Sequence, residues 1–195
     1  MLKMYMTKRL TGIEEHEEEY EKETIKVFGT HVYFYSEVTK KSILELKEKL
    51  DEARKNCNEN SKKKKIFLFI HSEGGDAFAG ISGMNMISSY NCKIITVVDG
   101  FVASAATLLF LAGKKRYVTN HSQFLIHQLR TSFLGKYEDL KDEVKNSTSL
   151  MDSIIKIYTD KTNMKIQLIK TYLNKELSFT SDECLKYGIA HKIMI

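Results

Sequence analysis

Between Ile66 and Val98 the chain passes from a short apolar run, Ile66-Phe67-Leu68-Phe69-Ile70, through the paired glycines Gly74-Gly75 into a helix-patterned stretch from Ala77 to Tyr90. A second apolar run follows from Lys93 to Val98. A brief apolar run bounded by turn residues reads as a strand buried on both faces, the habit of parallel sheets. Strand, turn, helix and strand in that order make a βαβ unit, whose crossover is right-handed. That unit confines the chain to α/β architecture more tightly than any other feature.

The flanking sequence extends the same pattern. Ile25 to Tyr35 supplies β-branched and aromatic residues suited to strands, and residues 41–55 set Ile43, Leu44, Leu46, Leu50 and Ala53 at helical spacing among charges. Ala103 to Ala112 reads as a helix of small residues and leucines, and Arg116 to Val118 and Phe124 to Ile126 as short strands. From Lys136 to Tyr158 a stripe of Leu140, Val144, Met151, Ile154, Ile155 and Tyr158 predicts one long helix, lying after the sheet and free to reach a partner. At 195 residues, without internal repeat or flexible linker, the chain is expected to form one folding unit. A polar segment, residues 1–24, precedes a domain expected to span 25–195.

Composition removes several classes of function. With 43% hydrophobic and 28% charged residues, and no apolar stretch near the roughly 20 residues a bilayer requires, no membrane span is expected. The first residues carry positive charge but no apolar core or cleavage site of a secretory signal. Cys57, Cys92 and Cys184 lack metal-like spacing, and their odd number argues against a disulfide framework, so a reducing, cytoplasmic setting is expected. The net charge of +5 is dispersed: the basic run Lys62 to Lys65 reads as a solvated loop, and the acidic cluster Glu14 to Glu23 as a solvated segment. No nucleic-acid partner is expected.

Three short elements carry candidate chemistry. Serine needs a base within reach, a group to orient that base, and donors for an oxyanion. In Gly100-Phe101-Val102-Ala103-Ser104-Ala105-Ala106, small residues surround Ser104 where a strand turns into a helix, whose N-terminus favours negative charge. A serine so placed is also what an ordinary N-cap looks like. Phe124-Leu125-Ile126-His127-Gln128 ends a strand with a histidine able to face a cleft, or simply hydrogen-bonded at a strand end. His71 and His121 are further histidines whose surroundings matter. The turn Ser72-Glu73-Gly74-Gly75-Asp76 allows backbone geometry closed to other residues and can aim an amide at an oxyanion, though paired glycines also make plain βα turns. Neither nucleotide-binding glycine pattern is present.

Taken in order, Ser72-Glu73-Gly74-Gly75, Gly100 to Ser104, Leu108 to Gly113, Arg116 and Leu125-Ile126-His127-Gln128 resemble the proteolytic subunits of the Clp protease. The resemblance runs from Ile25 to Ile193. It implies a spiral of βαβ units, shared with crotonases, bearing a protruding handle helix, and a serine endopeptidase with Ser104 as nucleophile and His127 as base. It gives the oxyanion hole to the amides of Gly75 and Ala105. An extended peptide would pair along Leu129 to Leu134, with Gly74, Gln128, Leu129, Arg130 and Thr131 binding substrate. The C-terminal signature, Leu177 to Ile189, puts Glu176 where the family carries the aspartate of its triad, with Asp182 and Asn174 as alternatives. No metal or organic cofactor is implied. Heptameric rings stacked as a tetradecamer are implied, with unfolded protein or peptide as substrate. Residues 1–24 do not match the family's axial loop, which leaves docking to a Clp-type AAA+ unfoldase open. Two rival readings stand beside this one: a catalytically silent ring subunit, and a crotonase-type acyl-CoA enzyme.

Overall fold

The computed structural model describes residues 24–57 and 65–194. The expectations for the acidic N-terminal segment and for Lys62, Lys63 and Lys64 fall outside the described residues.

The described residues begin with an antiparallel pair, β1 (Thr24–Phe28) and β2 (His31–Tyr35). Helix α1 (Lys40–Lys55) starts at Thr39, whose hydroxyl accepts from Ser42 N while Ser42 Oγ accepts from Thr39 N, satisfying two end groups reciprocally. It buries Ile43, Leu46, Leu50 and Ala53, whereas Leu44 of the predicted stripe stays 65% exposed. Next come β3 (Lys65–Ser72), α2 (Ala77–Ser88) and β4 (Lys93–Ala103), with β2, β3 and β4 parallel as the βαβ pattern requires.

The expectation that Ile66–Ile70 is covered on both faces is wrong. Ile66, Leu68 and Ile70 are fully buried, but Phe67 and Phe69 are only half-buried. On that outer face aromatic rings cover one another instead of meeting a helix: His31 stacks on Phe67 at 5.2 Å and Tyr33 on Phe69 at 4.8 Å between ring centroids. The second apolar run also extends further than expected, to Ala103, so α3 (Ala105–Leu111) begins after the serine. Strand β4 is long because it serves two neighbours in turn. Ile95–Val98 pair with β5 (Lys115–Thr119), and after a register shift Phe101–Ala103 pair with β6 (Gln123–Leu125).

The long helix α4 (Tyr137–Lys161) buries only Ile154 and Tyr158 at its C-terminal end, and Leu140 and Val144 near its start are 47% and 59% exposed. Four elements went unpredicted: α5 (Ile166–Lys175), β7 (Ser178–Thr180), α6 (Ser181–Lys186) and β8 (Lys192–Met194). The sheet order is β1-β2-β3-β4-β5-β8, with β6 beside β4 and β7 antiparallel to β6. Phe34, Phe110, Phe124 and Phe179 are fully buried, each contributing roughly 2–3 kcal/mol relative to exposure. Buried Arg116 ties the C-terminal region to the sheet, its Nε donating to Ile189 O at 2.7 Å and its Nη2 to Lys161 O at 2.8 Å and Gly188 O at 2.9 Å. Among the described residues no helix is long and apolar enough to cross a membrane, and no group of side chains is arranged to hold a metal ion.

Candidate active site

Ser104 stands between β4 and α3 with φ 54° and ψ −129°, a left-handed conformation that non-glycine residues adopt only where the surroundings impose it. Its amide donates to Leu125 O at 3.0 Å, continuing the β4–β6 ladder one step past Ala103↔Leu125. The serine occupies the N-cap position of α3, its carbonyl accepting from Thr107 N at 3.0 Å, but its hydroxyl makes no capping bond. The turn after β3 packs directly on it. A Cβ on Gly74, at φ +104°, would lie 2.5 Å from Ser104 Cβ, and one on Gly75, at φ +141°, would lie 2.4 Å from Val38 O. Val38 clamps this turn, its amide donating to Gly74 O at 2.6 Å while its carbonyl accepts from Asp76 N at 2.8 Å. Gly75 N takes no part in that pairing, and Ala105 N belongs to the first helical turn, whose amides have no intrahelical partner.

His127 follows β6 and lines one cleft of about 550 Å³ with Ser104, Gly75, Ala105, Gln128, Leu129, Arg130 and Thr131. No other described histidine lines it: His71 Nδ1 meets Asp99 O on the sheet's outer face, His121 sits in the turn before β6, His191 accepts from Arg116 N and His31 stacks on Phe67. His127 Nδ1 lies 2.5 Å from Gln128 O. A carbonyl oxygen only accepts, so Nδ1 carries a proton, and in the neutral ring Nε2 keeps the lone pair.

Glu176 caps α5 in the left-handed conformation, with φ 53°. Its carboxylate accepts from Arg130 at 2.7 Å and 2.8 Å rather than from the imidazole. The hydrogen bond and charge of the Arg130 guanidinium hold the carboxyl below the usual glutamate range. Two residues earlier, Asn174 Oδ1 accepts from Gln128 Nε2 at 2.8 Å. Asp182 lies exposed in the first turn of α6, away from the cleft.

The Clp protease family profile matches residues 29–195. The chain belongs to the Clp protease family. Over 134 residues it is 34% identical to the ATP-dependent Clp protease proteolytic subunit 2 of Borreliella burgdorferi, covering 68% of each chain. It is 30% identical over 133 residues to the ATP-dependent Clp protease proteolytic subunit 1 of Bacillus cereus, covering 67% of this chain and 69% of that one. The solved structure of a ClpP1 mutant from Listeria monocytogenes shares the fold, with a TM-score of 0.73 at 23% identity over 85% of this chain and 91% of that one. The resemblance read from the glycine turn, the serine segment and the histidine strand is thereby upheld, and so is the α/β spiral.

Two residues near Ser104 escaped sequence reasoning. Thr107 Oγ1 donates to Ser104 O at 2.5 Å and shares a 2.6 Å hydrogen bond with the hydroxyl of buried Tyr158 on α4. The threonine has one hydroxyl proton, so Tyr158 is the donor to it. Burial pushes the Tyr158 phenol well above its usual range, keeping that donor protonated. The root of the long helix is thus tied to the serine's own carbonyl. No local pattern announces this contact, because its partners lie 51 positions apart.

Proposed function

We propose that this chain is the proteolytic subunit of an ATP-dependent Clp protease, a serine endopeptidase acting on unfolded proteins or peptides. Ser104 Oγ attacks the scissile carbonyl carbon as His127 Nε2 takes its proton, and the oxyanion is received by the amides of Gly75 and Ala105. The C–N bond then breaks, His127 returns the proton to the leaving amine, and an acyl-enzyme ester remains on Ser104. Water, deprotonated by the same nitrogen, hydrolyses that ester and regenerates the hydroxyl. The chemistry is complete with protein groups and water.

Gly74, Gln128, Leu129, Arg130 and Thr131 line the path of an extended peptide, bound by strand addition. Glu176 is the third triad member, orienting the imidazole and stabilising its charge. The protease domain spans residues 25–195. Self-assembly into two stacked heptamers, docking of a Clp-type unfoldase and a cytoplasmic location belong to the same reading. It is carried by one observation: a strained Ser104, its hydroxyl engaged in no capping bond, shares a cleft with a histidine whose Nδ1 is held by a carbonyl, leaving Nε2 to accept a proton.

A catalytically silent subunit is the second reading, favoured by the engagement of Glu176 with Arg130 instead of His127. Fluorophosphonate labelling separates the two. A covalent adduct on Ser104 that disappears in Ser104→Ala is expected, and its absence from a folded, assembled wild-type chain would leave only the silent subunit. The acyl-CoA reading gains no support from any contact described above.

A further inference from the structure

Two contacts, two positions apart on both sides, clasp the segment after His127 to the end of α5: Gln128 with Asn174 and Arg130 with Glu176. Both oxygens of Glu176 are occupied by one guanidinium, while the Nδ1 proton of His127 rests on Gln128 O. Serine and imidazole thus share a cleft that Glu176 does not line, and the carboxylate and the imidazole each have another partner. When the serine loses its proton the imidazole becomes an imidazolium, which a carboxylate at Nδ1 stabilises far better than a neutral carbonyl does.

We propose that Arg130 is a positioning residue that restrains catalysis by competing with His127 for the carboxylate of Glu176. The inference rests on the serine-peptidase reading and adds a resting state to it. With Arg130 engaged, Gln128 O orients the histidine and the site turns over slowly. With Arg130 withdrawn, Glu176 takes the Nδ1 proton's hydrogen bond and the site reaches full rate. The restraint is a light one, because both partners are largely exposed, at 59% and 43% for the side chains, and exposed ion pairs are weak. A carboxylate on a bound peptide is the chemistry that would draw the guanidinium away, since Arg130 lines the same cleft as Ser104.

The test is the rate at which Ser104 of the purified full-length chain reacts with a small fluorophosphonate, which does not depend on the peptide path. Arg130→Leu is expected to react roughly 5-fold faster than wild type. Arg130→Lys, which keeps the charge on a different head group, should gain less than Arg130→Leu. The gain should vanish in the Glu176→Gln background, so that Arg130→Leu/Glu176→Gln reacts no faster than Glu176→Gln alone. A rate in Arg130→Leu equal to or below wild type, or a gain that survives Glu176→Gln, would overturn the restraint while leaving the peptidase reading intact. Absence of Ser104 labelling in every folded variant would overturn the peptidase reading, and the restraint with it.

Discussion

The two halves of the cleft are built by different means. Around Ser104 the geometry is made of backbone: a left-handed serine, a glycine turn with no room for a side chain, and main-chain clamps from Val38 and Leu125. Around Glu176 it is made of exposed side chains that meet in solvent, Gln128 with Asn174 and Arg130 with Glu176. Backbone geometry packed against a core has few alternatives, whereas exposed ion pairs exchange at little cost. The contrast teaches that the nucleophile side is fixed by folding, and the carboxylate side is set by whichever partner is present.

Substitutions can break this comparison, and Ser104→Ala should have the largest effect. A loss of peptide hydrolysis on the order of 10⁵- to 10⁶-fold is expected with the melting temperature preserved, because the hydroxyl caps nothing. Gly74→Ala should come next, since its Cβ would fall 2.5 Å from that of Ser104 at φ +104°. It should lower unfolding free energy by about 2–4 kcal/mol and slow serine labelling more than any change at Glu176, as denaturant titration and labelling can measure. Were Gly74→Ala harmless, the claim that backbone fixes this half would fail.

Glu176→Gln sharpens the other half. Hydrolysis should drop about 10- to 100-fold, less than for a buried triad acid because Gln128 O still holds the tautomer. Stability should change by less than about 0.5 kcal/mol, the scale of an exposed pair. The smallest effect on rate is expected from Thr107→Val, which removes the donor to Ser104 O and strands the Tyr158 hydroxyl. It should cost about 1–2 kcal/mol in stability and slow hydrolysis only a few-fold, measured by thermal melts and steady-state rates.

What the sequence disclosed follows the same division. The βαβ unit, the long helix and the placing of Ser104 before a helix and His127 after a strand were legible because each rests on local signals: apolar runs, helical spacing, and glycines beside a small-residue segment. The half-open outer face of β3 was not, since coverage depends on which side the later helices choose; Phe67 and Phe69 read as core yet pack against rings from β2. Of the elements missed after Lys161, β7, α6 and β8 are too brief for periodicity to register, whereas ten-residue α5 does carry helical spacing in its buried Ile169 and Leu173. The contact between Arg130 and Glu176 was equally invisible, as it joins 46 positions of sequence through exposed side chains.

The amide of Ser104 still bonds to Leu125 O after β4 has ended, and this makes strand pairing a ruler for the reaction. The separation of serine from histidine is counted in ladder rungs, not in loop lengths. Over evolutionary time the turns that link α3, β5 and β6 between the two residues can therefore shed or gain positions without disturbing the chemistry. A slip of β6 by a single residue would instead turn the imidazole to the opposite side of the sheet. Length variation among descendants of such a chain should gather at the far ends of these strands and spare the three rungs from Phe101 to Ala103.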